Sequence, residues 1–328
     1  MRSAMADKML ADARRVVADF IHAEPNQIIF TSGTTDAMNR IVNIVCKSRS
    51  IKTVAVSDID HHSARMPWEN IVRGGDAKLV KIPLTENYDI DYDNLPSADV
   101  MVITAMSNVL GFAQDVAEII RAARRKNPNV ITIVDATQYI VHKKIDVRAW
   151  DCDFLVASGH KIGADTGVGI LYIRDSQKYM PDKFGGGMVL RVDDDKLFLT
   201  GAPEKFEAGT LPLTQICGLA VAIDELESHR PNLDLIKYMY DGLKKIPCIK
   251  ILSSRDAAVL TFVVNGMHPL DFGTYAGANG ICLRVGNMCA SWICHAMGVD
   301  GAVRVSVGPW NTKSDADKFL SVVEKIVK

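Results

Sequence analysis

Between residues 27 and 173 the chain alternates short apolar runs with segments of helical length, and this alternation limits the fold more than any other feature. Runs at 27–30, 52–57, 77–82, 99–104 and 130–135 read as strands, while 36–47, 62–73 and 115–126 read as helices. Strands separated by helices need crossover connections, so the expectation is an α/β fold with a largely parallel sheet covered by helices on both faces. Strands are also expected at 154–157 and 169–173, and only a polar turn parts them, so they are expected to pair antiparallel. An amphipathic helix opens the chain, with Met9, Leu10, Ala13, Val16, Val17, Phe20 and Ile21 at helical spacing.

The character changes after residue 175. Phe184-Gly-Gly-Gly-Met188, the charged run 193–196 and Gly201-Ala-Pro203 read as a long surface excursion. Helices are expected at 212–228 and 232–245, followed by strands near 249–253, 257–264, 281–285 and 302–307 and helices near 269–277 and 312–327. The last hundred residues therefore read as a smaller α+β domain, and the expected division is 1–228 and 229–328. A length of 328 residues agrees with two domains, because single cores seldom grow beyond about 250–300 residues.

Composition removes several classes of function. Thirty-eight basic residues against thirty-nine acidic ones leave a formal charge of −1, with no excess to hold a nucleic acid. The longest apolar stretches, such as 216–223, stop well short of the roughly 18 residues of a membrane helix. The amphipathic start lacks the apolar centre of a secretion signal, so a cytoplasmic protein is expected. The seven cysteines at 46, 152, 217, 248, 282, 289 and 294 are odd in number and form no Cys-x-x-Cys pair. That argues against a disulfide framework and a structural zinc site, and no metal site is expected. Most of them read as small buried hydrophobes.

Four constellations carry candidate chemistry. Thr31-Ser-Gly-Thr-Thr-Asp36 stands at a strand-to-helix junction, where unpaired N–H groups and hydroxyls suit a phosphate, or where a helix is merely capped. Asp135 ends an apolar strand, at the edge where sheets of this kind bind ligands, or it caps the next turn. Lys161, in Ser158-Gly-His-Lys161, is a Schiff-base candidate at another strand end, against the alternative of a solvated surface lysine. His61 and His62 precede a helix, as a catalytic or stacking imidazole or as a capping pair. In this order they supply what pyridoxal phosphate requires: an anion cradle, a ring partner, an acid for the pyridine nitrogen and an amine for the aldehyde.

The chain resembles the class V aminotransferase family of fold-type I pyridoxal-phosphate enzymes, and within it the SUF-type cysteine desulfurases and selenocysteine lyases. The matching stretches are Phe30-Thr-Ser-Gly-Thr-Thr35, Asp60-His-His-Ser-Ala-Arg-Met-Pro-Trp68, Ser107-Asn-Val-Leu-Gly111, Val134-Asp-Ala-Thr-Gln138, Asp151-Cys-Asp-Phe154, Ser158-Gly-His-Lys161, Phe184-Gly-Gly-Gly-Met188, Phe206-Glu-Ala-Gly-Thr210 and Arg284-Val-Gly-Asn-Met-Cys-Ala290. They run in order over nearly the whole chain.

The resemblance implies that Lys161 bonds the cofactor and moves protons at the substrate α-carbon, that Asp135 pairs with the pyridine nitrogen, and that Gln138 bonds the phenolic oxygen. By the same resemblance His61 stacks on the ring, and Thr34, Thr35, Ser158 and His160 hold the phosphate. Thr210 would reach the phosphate of a neighbouring subunit, which implies a homodimer with shared active sites. Asn108, Arg284 and Arg304 are assigned to the substrate, L-cysteine or a similar amino acid. Cys289 matches the nucleophile that takes sulfur as a persulfide, with Arg284 near enough in sequence to help a thiolate form. The expected activity is conversion of L-cysteine to L-alanine, in the setting of iron–sulfur cluster assembly and with a sulfur-acceptor protein as partner. The alternatives are a selenocysteine lyase, an aminotransferase, an epimerase, or a catalytically silent scaffold; Lys161, Asp135, Gln138 and His61 speak against the last. In two places the chain departs from the family pattern. Val285, Asn287 and Met288 stand where the nucleophile loop reads Arg-Thr-Gly-x-x-Cys, and the N-terminal segment that lines part of the substrate pocket is expected to be shortened.

Overall fold

A computed structural model of the chain describes every residue except Met1, Asp76 and Asp195, and of Arg2 and Ser3 the backbone only. In chain order the elements are α1 (Arg2–Phe20), β1 (Ile28–Thr31), α2 (Thr34–Ser48), β2 (Thr53–Val56), α3 (His62–Gly74), β3 (Lys78–Lys81), β4 (Val100–Thr104), α4 (Val116–Lys126), β5 (Ile131–Asp135), α5 (Tyr139–His142), α6 (Val147–Trp150), β6 (Phe154–Ser158), α7 (Gly159–Ile162), β7 (Gly169–Ile173), β8 (Val189–Asp193), β9 (Lys196–Leu199) and α8 (Leu213–Ser228). Then follow α9 (Asp234–Leu243), β10 (Ile249–Ile251), β11 (Leu260–Val264), α10 (Pro269–Ala278), β12 (Arg284–Gly286), α11 (Ser291–Ala296), β13 (Ala302–Val305) and α12 (Lys313–Ile326).

The residues fall into two units, one made of Met1–Ser57, Ser63–Ala105 and Asp115–Ser228, the other of Asp58–His62, Met106–Gln114 and His229–Lys328. The first unit is built on a sheet in the order β1-β7-β6-β5-β4-β2-β3. Strands β3, β2, β4, β5 and β6 pair parallel, while β7 pairs antiparallel with both β6 and β1. Every residue of β4, β5, β6 and β7 is buried, as strands covered on both faces must be. The edge strand β3 is half-exposed and bounded by Lys78 and Lys81, which discourage pairing with another chain. Helix α2 packs Ile41, Val45 and Met38 into a core that also holds Val102, Ile133, Phe154 and Trp68. Burying side chains of this size contributes about 1.5–3 kcal/mol each.

The second unit is a four-stranded sheet in the order β10-β11-β13-β12, antiparallel throughout, with α9, α10 and α12 supplying its core. Phe262 meets Phe272 edge-on at 5.4 Å and Phe319 at 6.5 Å. Among the hydrogen bonds that join residues 106–114 to this unit, Ala258 N donates to Gly111 O at 2.8 Å and the Thr261 hydroxyl donates to Val109 O. Gly111 sits at φ 70°, and a Cβ there would lie 2.6 Å from Val259 Cγ2. The glycine is what lets the segment come this close.

Several short elements depart from the sequence expectation, among them the one-turn helices α5, α6 and α7. The excursion after residue 175 contains the hairpin β8–β9, whose strands VLRVD and KLFL lack the strict alternation that marks a strand in sequence. Helix α11, at six residues, is too short to show a helical period.

Candidate active site

In the first unit β7 alone runs against its neighbours, so β1 points the same way as the parallel set and their carboxyl ends share one edge. That edge is where open sheets of this kind bind ligands. It carries the turn after β1, Asp135 as the last residue of β5, and Ser158 as the last residue of β6, with His160 and Lys161 following on α7.

The turn after β1 is tied to the end of β6. Thr34 N donates to Ser158 Oγ at 2.9 Å, Ser158 Oγ donates to Thr34 Oγ1 at 2.9 Å, and Thr34 Oγ1 lies 2.6 Å from Thr137 Oγ1. Gly33 caps α2 at φ 141°, and a Cβ on Gly169, opposite both Thr31 and Ser158, would come within 2.5 Å of Gly33 Cα. The amino end of a fifteen-residue helix is thus fixed against hydroxyls from β6 and the β5 turn, with Thr35 exposed in its first turn. Helix ends of this kind favour an anion.

Asp135 is 5% exposed, and its Oδ1 accepts the Thr137 N–H at 3.0 Å. Among the described residues no cation pairs with it. A buried carboxylate calls for a positively charged donor, and a protonated ring nitrogen supplies one. Gln138, buried, follows at the start of α5. His160 and Lys161 are exposed; burial, and then the charge of Lys161, pushes His160 below the ordinary histidine range.

Thr210 is exposed, on the loop that follows Glu207. Glu207 is buried and holds Arg14 through two oxygens at 2.8 and 2.7 Å, while also accepting Phe30 N at 2.7 Å. Arg14 in turn donates to Ile28 O at 2.7 Å and lies over the Phe30 ring. One carboxylate therefore ties the loop of Thr210 to β1 and α1. Glu207→Ala leaves a buried guanidinium unpaired and is expected to lower stability by about 3–5 kcal/mol. Denaturant unfolding checks this, with the Arg14→Met/Glu207→Leu double variant expected to lose less.

The second unit carries the remaining candidates. Arg284 on β12 stands directly opposite Arg304 on β13. Arg304 Nη1 donates to Asn108 O at 2.7 Å, and its Nε is buried without a partner. Burial, and then the charge of Arg284, holds the Arg304 guanidinium below its ordinary value. Neither arginine has an anionic partner among the described residues. Two opposed guanidiniums with an unused buried N–H are arranged for a carboxylate. Asn108 Nδ2 donates to Met288 O at 2.8 Å, and its Oδ1 is buried without a partner.

Cys289 is exposed, and both it and Met288 lie in the left-handed region, at φ 55° and 50°. Two such non-glycine residues in succession persist only where surrounding contacts enforce them. His62 supplies two of these contacts: its N–H donates to Cys289 O at 2.7 Å, and its Nε2 accepts Ser291 N at 3.1 Å. The ring of His61 lies 6.4 Å from that of His62.

A sequence model of the class-V aminotransferases matches residues 1–319. The chain belongs to the class-V aminotransferase family. Among its relatives, a probable cysteine desulfurase of Vibrio cholerae is 34% identical over 99% of this chain and 84% of its own length. The crystal structure of the cysteine desulfurase CsdA of Escherichia coli superposes with a TM-score of 0.92 at 31% identity, covering 98% of this chain and 84% of that one. A cysteine desulfurase of Thermococcus onnurineus, in its apo form, gives a TM-score of 0.94 at 30% identity over 100% of this chain and 86% of its own.

The donor set on the sheet edge of this class-V chain fits pyridoxal phosphate. The cradle of α2, Ser158 and Thr35 suits the phosphate, the buried Asp135 lacks the cation that the ring nitrogen provides, and Lys161 is the amine. Glu207, between Phe206 and Ala208 in one of the matching stretches, carries no sequence signal of its role, because its partner Arg14 lies 193 positions away. The pair His61–His62 is visible in the sequence, and the resemblance gives the ring-stacking role to His61; adjacent identical residues carry no signal that His62 is the one that bonds the loop of Cys289.

Proposed function

We propose that the chain is a pyridoxal-phosphate-dependent cysteine desulfurase, which converts L-cysteine to L-alanine and keeps the sulfur on Cys289 as a persulfide. The observation that carries this reading is the exposed Cys289, held in an enforced turn within the unit that bears the Arg284–Arg304 pair. The names of the relatives agree with it.

When bound, pyridoxal phosphate supplies an aldehyde for the substrate amine and a ring that withdraws electrons from the substrate carbons. Thr35, Ser158 and His160 would hold its phosphate, with Thr34 fixing the frame; Asp135 would keep its ring nitrogen protonated, Gln138 would bond its phenolic oxygen, and His61 would stack on its ring. Lys161 would hold its aldehyde carbon, and its Nζ would move the proton at the substrate Cα. Arg304, with Asn108 and Arg284, holds the substrate carboxylate, a task that the unused Nε of Arg304 suits. The Cys289 thiolate attacks the substrate sulfur, the sulfur–Cβ bond breaks with its electron pair left on carbon, and protonation there gives alanine. Cysteine plus enzyme thiol becomes alanine plus enzyme persulfide, so no outside oxidant is needed.

A homodimer completes the proposal. The hairpin β8–β9 exposes Leu190, Val192 and Leu197 at 71%, 63% and 52%, and an exposed apolar hairpin of two strands is marginal without a partner. It lies just ahead of the Thr210 loop in the chain, so the proposed occupant is a second copy, with Thr210 serving the partner's phosphate. The Leu190→Asp/Val192→Asp variant is expected to weaken the dimer at least about tenfold, as charges placed in an apolar interface do. Sedimentation measures this, and an unchanged mass would remove the hairpin from the interface. Among the described residues no helix is long and apolar enough to cross a membrane. The proposed setting is the cytoplasm, with the persulfide passed to an acceptor protein for iron–sulfur cluster assembly. The direct test is incubation with L-cysteine under a thiol reductant, where alanine and sulfide are expected in equal amounts; a cofactor-loaded protein that yields neither refutes the reading.

A further inference from the structure

We propose that His62 is a positioning residue for Cys289, bonding the backbone at the Cys289 carbonyl and again at the Ser291 N–H so that the turn carrying the thiol is held in one conformation. The inference rests on the reading of Cys289 as the sulfur-accepting thiol, and deepens it. Four hydrogen bonds surround the left-handed pair Met288–Cys289. Asn108 Nδ2 donates to Met288 O at 2.8 Å, Ala290 N donates to Asn287 O at 2.8 Å, His62 N donates to Cys289 O at 2.7 Å, and Ser291 N donates to His62 Nε2 at 3.1 Å. His62 supplies two of the four, once through its backbone at Cys289 and once through its ring at Ser291.

The direction of the last bond fixes the chemistry of the ring. A backbone N–H can only donate, so Nε2 is unprotonated and the imidazole is neutral with its proton on Nδ1. Burial pushes the pKa of His62 below the ordinary histidine value and favours this neutral form. The indole of Trp292 packs edge-on against the ring at 5.1 Å and limits its rotation. The side-chain bond to Ser291 and the aromatic contact to Trp292 both fall at the start of α11, so the ring holds the first turn of that helix while the backbone N–H of the same residue holds the Cys289 carbonyl. Backbone in this region of φ/ψ stays put only where its surroundings over-determine it, and the ring is one of few contacts doing so.

The test compares His62→Ala, His62→Asn and His62→Gln in the cofactor-loaded protein. The Oε1 of glutamine reaches the place of Nε2, while the Oδ1 of asparagine falls near Nδ1 and does not. The Ala and Asn variants are expected to exchange the Ser291 amide about tenfold faster, the equivalent of one neutral hydrogen bond, and to change the rate at which iodoacetamide alkylates Cys289. They are also expected to lose roughly 10–100-fold in kcat, the scale of a small misplacement of a reacting group. KM should stay within about threefold, because substrate binding rests on other residues. His62→Gln is expected to recover all three readouts. Unchanged Ser291 exchange and Cys289 alkylation in His62→Ala, or a Gln variant that behaves like Asn, would overturn the proposal. Should His62→Ala not fold, the Gln–Asn comparison decides in its place. A wild-type protein that makes no persulfide would refute the desulfurase reading alone, since exchange and alkylation report on the turn without turnover.

Discussion

Replacing Lys161 with alanine will remove the visible absorbance band of the lysine-bound cofactor and cut turnover of L-cysteine by at least about 10³-fold, or about 4 kcal/mol of barrier. The residue stands on α7, directly after β6, at the edge that also presents Asp135 and the α2 turn. The proposed function gives its amine two tasks, anchoring the cofactor and moving the proton at the substrate Cα, and alanine can perform neither. The fold should survive, because the Lys161 side chain is exposed and the turn beneath it is built by Ser158, Thr34 and Thr137. The expected result is a folded protein that binds the cofactor without the band. A variant that keeps both band and turnover would show that another amine serves.

Cys289→Ala separates the desulfurase from its relatives by chemistry. The variant is expected to keep the cofactor band, since the cradle belongs to the first unit and Cys289 to the second, and to lose persulfide formation with a fall in cysteine turnover of about 10³-fold. Spectroscopy and alanine assays read the two effects on one sample. Elimination of selenium or transfer of an amino group needs no enzyme thiol, so full activity in this variant would point to a lyase or an aminotransferase. Arg304→Lys offers no such separation, because it weakens carboxylate binding for every amino-acid substrate.

The parts of the fold that could be read from sequence are those where burial is simplest. Strands β4 to β7 are buried from end to end and mostly apolar because they are covered on both faces, and the closeness of β6 and β7 in the chain, parted by ten residues including α7, agrees with their antiparallel pairing. The proposed cofactor residues stand out in the sequence because phosphate, ring nitrogen and aldehyde each demand a different residue type at a strand end, and the fold brings those strand ends to one sheet edge. The rest depends on contacts that leave no local trace. Residues 58–62 and 106–114 lie within the first unit's sequence yet belong to the second unit, and the closest sequence sign of this is Gly111, which Val259 forces to be small. The left-handed backbone of Met288 and Cys289 has no glycine to mark it; it is imposed by His62 and Asn108, which are far away in the chain. The Arg14–Glu207 pair is invisible for the same reason, joining residues 193 positions apart.

The most direct measurement is the mass of the Cys289 peptide after brief incubation of the cofactor-loaded protein with L-cysteine and no reductant. The account predicts one added sulfur atom on Cys289, removable by a thiol reductant and accompanied by one alanine. Alanine formed with Cys289 unmodified, or sulfur found on another cysteine such as Cys282, would contradict it.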